Sequence, residues 1–213
     1  FSSSFYYTSN PNTLYHSHLS GIIPESIVNW EYIKDLYLGT LYPEDECNIQ
    51  GGIDILENLS SLEKLVLLNN SFEGDIPLEI YSLTNLKTLY LARNLFEGNI
   101  SPDIANLINL ENIWLGDNNF DGEFPLEFWS INTLKSVELE NNNFNGIIPD
   151  NISNLPNLTR LILNNNNFSS TIPENICELD NIVNNLGESS EWQGEFFPYF
   201  NISDNYFCPD VST

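Results

Sequence analysis

The fold is decided by two adjoining stretches, LKTLYLARNLFEGNISPDIANLIN at residues 86–109 and LENIWLGDNNFDGEFPLEFWSINT at residues 110–133. Aligned end to end, they agree at most apolar positions, and each carries an asparagine followed two residues later by a phenylalanine. A fixed period of this length predicts a solenoid, in which each repeat buries its apolar face against its neighbours. The same 24-residue step recurs along the chain, at Asn70, Asn94, Asn118, Asn142 and Asn166.

Within each repeat, two apolar patterns follow one another. Leu89 and Leu91 occupy alternate positions, and period-two alternation predicts a short strand with one buried face. Ile104, Leu107 and Leu110 then recur at a step of three, which suits a helical or 3₁₀ turn whose side chains stack on one side. Each coil is therefore predicted to run as a strand, an ordered turn and a short helical return.

Written out, the motif LxLxxNxFxGxIPxxIxxLxxL resembles the plant-type leucine-rich repeats of receptor-kinase ectodomains and polygalacturonase-inhibiting proteins. The resemblance implies an α/β repeat, a solenoid of about 7–8 coils with a parallel concave sheet and short 3₁₀ or helical convex returns. We expect an N-terminal cap at 1–13, leucine-rich repeats at 14–182 and a C-terminal cap at 183–213.

One asparagine per coil can satisfy the backbone where each strand turns into its loop. A buried unpaired backbone group costs about 1–3 kcal/mol, and an amide side chain offers both donors and an acceptor. We therefore predict a hydrogen-bonded ladder of asparagines beside a spine of phenylalanines. The repeat register assigns to this ladder Cys47, Asn70, Asn94, Asn118, Asn142, Asn166 and Asn205.

The composition narrows the classes of partner. The net charge is −24 with only 6 lysines and arginines, which argues against nucleic acid because phosphate binding requires basic patches. The acidity is interpreted as a solvated surface, with attraction to cationic partners or Ca²⁺ as the alternative. No run of 18 apolar residues exists, so no membrane span is predicted. The chain begins at Phe1 and contains no methionine, which we interpret as a processed or trimmed form.

The cysteines and sequons predict an extracellular or cell-surface protein. The resemblance implies a capping disulfide between Cys177 and Cys208, as in secreted members of the family, whereas Cys47 is expected to be a reduced ladder residue. Asn-x-Ser/Thr motifs are candidate glycan acceptors. They occur at Asn58, Asn69, Asn99, Asn151, Asn157, Asn167 and Asn201.

Catalytic and metal signatures are weak throughout the sequence. His16 and His18 could supply two metal ligands, but a third is not evident, and the acidic run at residues 44–46 is interpreted as an exposed loop. Glu138 and Glu140 form a carboxylate pair of the kind that glycosidases use. On an open strand face they are interpreted as binding groups, because nothing there is expected to exclude water. We predict no enzyme activity, no metal site and no cofactor.

The strand positions that point away from the core define the candidate binding surface. The same position in successive coils forms a continuous column, because neighbouring strands lie about 4.8 Å apart. The first column consists of Tyr37, Val66, Tyr90, Trp114, Glu138 and Ile162, so an aromatic half is followed by an acidic half. Tyrosine and tryptophan are enriched in binding hot spots. A second column beside the first includes Glu140.

Three functions are compatible with these features. The favoured one is a secreted glycoprotein recognition module that binds a protein, peptide or carbohydrate on its concave face without catalysis. The alternative is a structural extracellular glycoprotein whose ends stack into a wall, matrix or filament, favoured by the aromatic N-terminal segment with Phe1, Phe5, Tyr6 and Tyr7. Ice binding is a third candidate, resting on the partly regular polar column Ser71, Leu95, Asn119, Asn143 and Asn167.

Overall fold

A computed structural model describes residues 6–7, 12–16, 20–39, 48–174, 176, 189–192, 195–198 and 200–208 of the 213-residue chain. The predictions for Cys47, Cys177, His18 and residues 44–46 fall outside these ranges. So do those for the side chains of His16 and Cys208. The predicted disulfide and the cap boundaries therefore stay predictions.

Eight parallel strands in chain order form the concave sheet among the described residues, with one antiparallel strand at its N-terminal edge. Equivalent residues of successive repeats pair directly, as Ile113 does with Leu89 and Val137. The predicted leucine-rich-repeat solenoid with a parallel sheet is confirmed. The strands are Tyr6–Tyr7, Thr13–His16, Asp35–Leu38, Lys64–Val66, Thr88–Tyr90, Asn112–Trp114, Ser136–Glu138, Arg160–Ile162 and Phe200–Asn201.

The convex returns are short 3₁₀ helices, and the described residues contain no α-helix. Backbone N–H groups bond three residues back, from Ile80 to Pro77 and from Leu83 to Ile80. This places the apolar residues, which recur at a step of three, on one buried side. The helices are Glu25–Asn29, Asp54–Asn58, Leu78–Ser82, Pro102–Asn106, Leu126–Ser130 and Asp150–Asn154.

The ordered turn of each coil is itself a short strand, which sequence reasoning did not predict. These strands form two further parallel sheets, here called the side sheets. Glu73 pairs with Leu95 and Glu97 with Asn119, so the register advances by 22 residues per coil rather than 24. The strands are Ser20–Gly21, Asn48–Gly51, Ser71–Gly74, Leu95–Gly98 and Asn119–Phe120 in one sheet, and Asn145–Gly146, Asn167–Thr171 and Tyr206–Cys208 in the other. Ser189–Trp192 and Glu195–Pro198 form a separate antiparallel pair.

The repeated phenylalanines stack through the core between the concave and side sheets. Their rings are fully buried, with centroids 5.7–6.5 Å apart along the series. Offset stacking at such distances adds to the free energy gained by burying each ring. The series is Phe72, Phe96, Phe120, Phe144 and Phe168.

Asn118 shows how each ladder asparagine joins its coil to the preceding one. Its Oδ1 accepts a hydrogen bond from the N–H of Phe96 at 3.1 Å. Its Nδ2 donates to the carbonyls of Leu91, Leu115 and Gly116 at 3.0, 3.0 and 3.2 Å. One amide thus satisfies backbone groups of two coils. Equivalent bonds are made by Asn70, Asn94, Asn142, Asn166 and Asn205.

The repeated glycine has two structural causes. Gly98 has a φ of +74°, a conformation that residues with a Cβ rarely adopt. A Cβ added to Gly98 would also overlap the carboxylate of Asp75, which folds over it from the preceding coil. Gly122 has a φ of +73° and the same relation to the side chain of Asn99.

Candidate ligand-binding surface on the concave sheet

The six predicted column residues lie side by side across the concave sheet. Tyr37 pairs with Val66, Val66 with Tyr90, and Tyr90 with Trp114. The column continues through Glu138 to Ile162. Its aromatic half lies toward the N-terminal coils and its acidic half follows.

The aromatic half encloses a small hydrophobic cluster that is separate from the main core. Val66, Leu68 and Ala92 are 6%, 1% and 0% exposed, although all three occupy positions that point away from the main core. They are buried because Tyr37, Tyr90 and Trp114 pack over them. We call these six residues the aromatic shelf.

Trp114 is held from several directions. Its ring meets that of Tyr90 edge to face, with centroids 6.0 Å apart at 82°. The guanidinium carbon of Arg93 lies 5.7 Å from the Trp114 centroid, within range of a cation–π interaction. Trp114 Nε1 donates a hydrogen bond to Glu140 Oε1 at 2.8 Å. These contacts orient the indole before any partner arrives.

Arg93 occupies a left-handed backbone position, with a φ of 58°. Among residues other than glycine, asparagine and aspartate tolerate this conformation best, so arginine is the unusual choice. Its Nε lies 3.6 Å from Asp117 Oδ2, and its guanidinium covers Trp114. Sequence reasoning missed the role of Arg93, although its substitution in an asparagine and aspartate column was a visible signal. The equivalent left-handed residues are Asn69, Asp117, Asn141, Asn165 and Asp204.

Water was expected to have free access to the carboxylates of both Glu138 and Glu140, and for Glu140 this expectation is wrong. Its side chain folds over Gly116, where an added Cβ would lie 2.5 Å from Oε1. Oε2 is buried and has no hydrogen-bond partner among the described residues. Burial, followed by the nearby charge of Glu138, raises the pKa of Glu140 to about 7.

Glu138 is in a different situation, although it lies only two residues away. Arg160 Nε lies 3.0 Å from Glu138 Oε1, and Ser136 Oγ donates to the same oxygen at 2.9 Å. The side chains of Arg160 and Glu138 are only 13% and 16% exposed. Glu138 therefore has a close cationic partner, whereas the side chain that bonds Glu140 among the described residues is a neutral indole.

Lysines and glutamates alternate along the edge where the chain enters the concave strands. Glu63 lies between Lys34 and Lys87, with both Nζ to carboxylate distances at 2.6 Å. Hydrogen bonds from these two lysines lower the pKa of Glu63 to about 2. Lys135 likewise lies 2.7 Å from Glu111. Sequence reasoning missed this charge row, although its members share one repeat position.

The predicted glycan acceptors occupy different surfaces. Asn58 and Asn151 lie in convex 3₁₀ helices, and both are exposed. Asn201 lies in the last concave strand, where it pairs with Ile162. Asn69 precedes the ladder residue Asn70 at the end of a concave strand, with a φ of 53°. Exposure varies among the remaining acceptors: Asn99 and Asn157 are exposed, and Asn167 is partly buried.

Among the described residues, no helix is long and apolar enough to cross a membrane. Within the same ranges, no three His, Cys, Asp or Glu side chains converge in an arrangement that could hold a metal ion.

Comparison with known proteins identifies the repeats. The Leucine Rich Repeat family model matches residues 85–107, 109–131, 133–155 and 157–179. No curated protein sequence matches the chain.

Several solved structures are similar to the chain in both sequence and fold. The ectodomain of the Arabidopsis thaliana receptor kinase GASSHO1/SCHENGEN3, in complex with CASPARIAN STRIP INTEGRITY FACTOR 2, is 28% identical with a TM-score of 0.72. The alignment covers 88% of this chain and 20% of that one. The Arabidopsis receptor kinase HAESA, in complex with the peptide hormone IDA and a co-receptor, is 26% identical with a TM-score of 0.69, covering 89% and 32%. The chain thus spans about a fifth to a third of these ectodomains.

A plant ice-binding protein shares the fold at 24% identity and a TM-score of 0.63, with coverage of 95% of this chain and 67% of that one.

Four tandem family matches, the 24-residue period and the architecture of receptor ectodomains together identify the chain as a leucine-rich-repeat protein of the plant type.

Proposed function

We propose that the chain is an extracellular recognition module that binds a protein, peptide or carbohydrate on its concave face without catalysis. The similar HAESA ectodomain was solved with a peptide hormone, which supports a ligand-binding role for this scaffold. The proposal includes secretion, glycans on some of the seven sequons, and a disulfide between Cys177 and Cys208. Nonreducing peptide mapping with glycan mass spectrometry tests this part, and a free Cys177 would contradict it.

The aromatic shelf is the observation that carries the proposal. The solenoid needs one buried face per concave strand, and the other face is ordinarily free to be polar. Here that second face holds Tyr37, Tyr90 and Trp114 over three buried apolar residues. Partly exposed, pre-oriented aromatics of this kind are the commonest anchors of protein interfaces.

Trp114→Ala tests the site directly. We expect affinity for peptides or glycans selected on the unmodified chain to fall by about 2 kcal/mol or more, which is roughly 30-fold. Random-peptide display and a glycan array supply the probes. Tyr32→Ala is the matched control, because Tyr32 is 75% exposed and lies outside the aromatic shelf, between the concave strands Thr13–His16 and Asp35–Leu38. Equal binding by the unmodified chain and Trp114→Ala would contradict the proposal.

End-to-end assembly is the second candidate. It is supported by Ile22, which is 65% exposed in the first coil beside a cavity of about 180 Å³ lined by Leu14, Ile23, Ile27 and Trp30. Uncovered solenoid ends favour association. Electron microscopy of the purified chain distinguishes the two: ordered fibres would favour assembly, and monomers alone would exclude it.

Ice binding is the third candidate, and the side-sheet register weighs against it. Residues 24 apart, such as Ser71 and Leu95, are not direct neighbours across the sheet, because Leu95 pairs with Glu73. The proposed polar column therefore runs obliquely and includes a half-exposed leucine. A thermal hysteresis measurement tests this candidate, which predicts a gap between melting and freezing points.

A further inference from the structure

We infer that the concave surface recognises a basic peptide segment, in which a lysine or arginine side chain meets the carboxyl of Glu140 while a nearby apolar side chain lies on the aromatic shelf. The inference rests on the proposed function and specifies its ligand class.

The position of Glu140 depends on the absence of a side chain at residue 116. The equivalent positions in the two preceding coils hold Ala92 and Leu68, both buried in the aromatic shelf. Gly116 has no positive φ, so its backbone does not require glycine. An added Cβ would lie 2.5 Å from Glu140 Oε1 and 2.9 Å from Trp114 Nε1. Gly116 thus leaves room for a carboxyl beside the indole.

The neighbouring guanidinium groups of Arg160 and Arg93 each lie close to a carboxylate other than Glu140. Arg160 lies 3.0 Å from Glu138, and Arg93 lies 3.6 Å from Asp117. The three carboxylates of Glu138, Asp117 and Glu140 therefore lie near two guanidinium groups in this part of the surface, and the phenols of Tyr90 and Tyr37 are further titratable groups there. Among the described residues, the carboxyl of Glu140 has one side-chain hydrogen bond, from the indole of Trp114, and its second oxygen is buried without a hydrogen-bond partner. A buried carboxylate without a cation is costly, so a ligand cation would be stabilising here.

Protonation of Glu140 is linked to this recognition. Its pKa is raised to about 7 by burial and by Glu138, with a smaller contribution from Asp117. The free carboxyl therefore carries a proton in much of the mildly acidic range. An ammonium or guanidinium group against it favours the anionic form. Binding of the basic segment should then release a proton and strengthen as the pH rises from 5.5 to 8.

The spacing of the strands sets the expected separation between the apolar residue and the basic residue of the peptide. Tyr90, Trp114 and Glu140 belong to three successive coils, and neighbouring strands lie about 4.8 Å apart. The Tyr90 side of the shelf therefore lies two strand spacings, roughly 10 Å, from the strand that leads to Glu140, and an extended chain crosses this distance in about three residues. We expect an apolar or aromatic residue two or three positions from the lysine or arginine.

A random linear peptide library panned on three purified proteins tests this inference. They are the unmodified chain, Glu140→Gln, and the control Glu97→Gln, which alters an exposed carboxylate of a side sheet. Peptides enriched on the unmodified chain and on Glu97→Gln should carry the basic and apolar pair. Glu140→Gln should lose the basic preference and bind a synthetic copy of such a peptide about tenfold more weakly. Its thermal unfolding is measured alongside to confirm that it is folded.

The outcomes separate this inference from the proposed function. Peptides that lack a basic residue, yet depend on Trp114, would overturn the inference and leave the concave site intact. Affinity of the unmodified chain that does not change between pH 5.5 and 8 would overturn it as well, without need of any variant. No enrichment of peptides on the unmodified chain would overturn this inference, and a glycan array without binding would be needed as well to overturn the proposed function.

Discussion

Replacing Glu140 by glutamine should change how the stability of the protein depends on pH. The carboxyl titrates near 4.5 when solvated, and its pKa is raised to about 7 in the folded chain. A raised carboxyl pKa contributes stability that is fully present below pH 4.5 and is lost as the pH rises through 7. Glutamine keeps the shape and loses the titration, so the unmodified chain should become progressively less stable relative to Glu140→Gln as the pH rises.

The magnitude follows from the two pKa values. Between pH 5 and pH 8 the linkage relation gives a change of about 2.5 kcal/mol in the stability difference, an upper bound because Glu140 is partly exposed. Urea unfolding at pH 5, 6, 7 and 8 measures it, and pH 5 stays above the isoelectric point of about 4.1. Any pH-independent effect of the amide on the free energy of unfolding cancels, because only the change in the stability difference between pH 5 and pH 8 is compared.

Glu97→Gln is the matched control for this titration, because it removes an exposed carboxylate outside the concave sheet. Its stability should parallel that of the unmodified chain within about 0.5 kcal/mol at every pH. If Glu140→Gln also ran parallel to the unmodified chain from pH 5 to pH 8, the carboxyl would be well solvated. The burial of the Glu140 carboxyl in the space beside Gly116 and the inferred preference for a ligand cation would then both be wrong.

Three further substitutions test the scaffold. Asn118→Ala should cost about 3 kcal/mol in urea unfolding because a buried backbone N–H loses its acceptor, whereas the exposed neighbour Asn119→Ala should be near neutral. Gly98→Ala should cost more than Gly74→Ala by thermal unfolding, because both glycines have positive φ but only Gly98 has a side chain folded over it; equal losses would contradict that contact. Glu63→Gln should cost about 1 kcal/mol or less at pH 7, since its ion pairs are solvent-screened, and the loss should shrink in high salt and as the pH falls below 4.5 toward 2.

The ladder and the spine were predictable because every coil repeats the same contacts with its own backbone and with the preceding coil. Asn118 must satisfy backbone groups at the end of its own strand, and Phe120 must fill the space beside it. Both requirements recur in every coil, so the period reveals them without coordinates. The charge row that includes Glu63 and Lys87 has the same property. It could have been found by comparing one more repeat position.

The burial of Glu140 could not be predicted in the same way. Alternation places it on the solvent side of a strand, as it places Leu68 and Ala92. Its actual exposure depends on what stands beside it in the preceding coils, namely Gly116 and the indole of Trp114. The side sheets escaped prediction for a related reason: their 22-residue register depends on how the turns of successive coils pair in space.

The repeat, its buried positions and the order of the columns can be read from the amino-acid sequence, because each of these follows from one residue type recurring at one spacing. Which outward residues are covered, and which carboxyl is without a cation among the described residues, follows from the packing of the folded chain. These properties depend on side chains from different coils meeting in space. Glu138 and Glu140 are two residues apart in the chain, yet Arg160 neutralises one of them and Gly116 leaves room for the other beside Trp114.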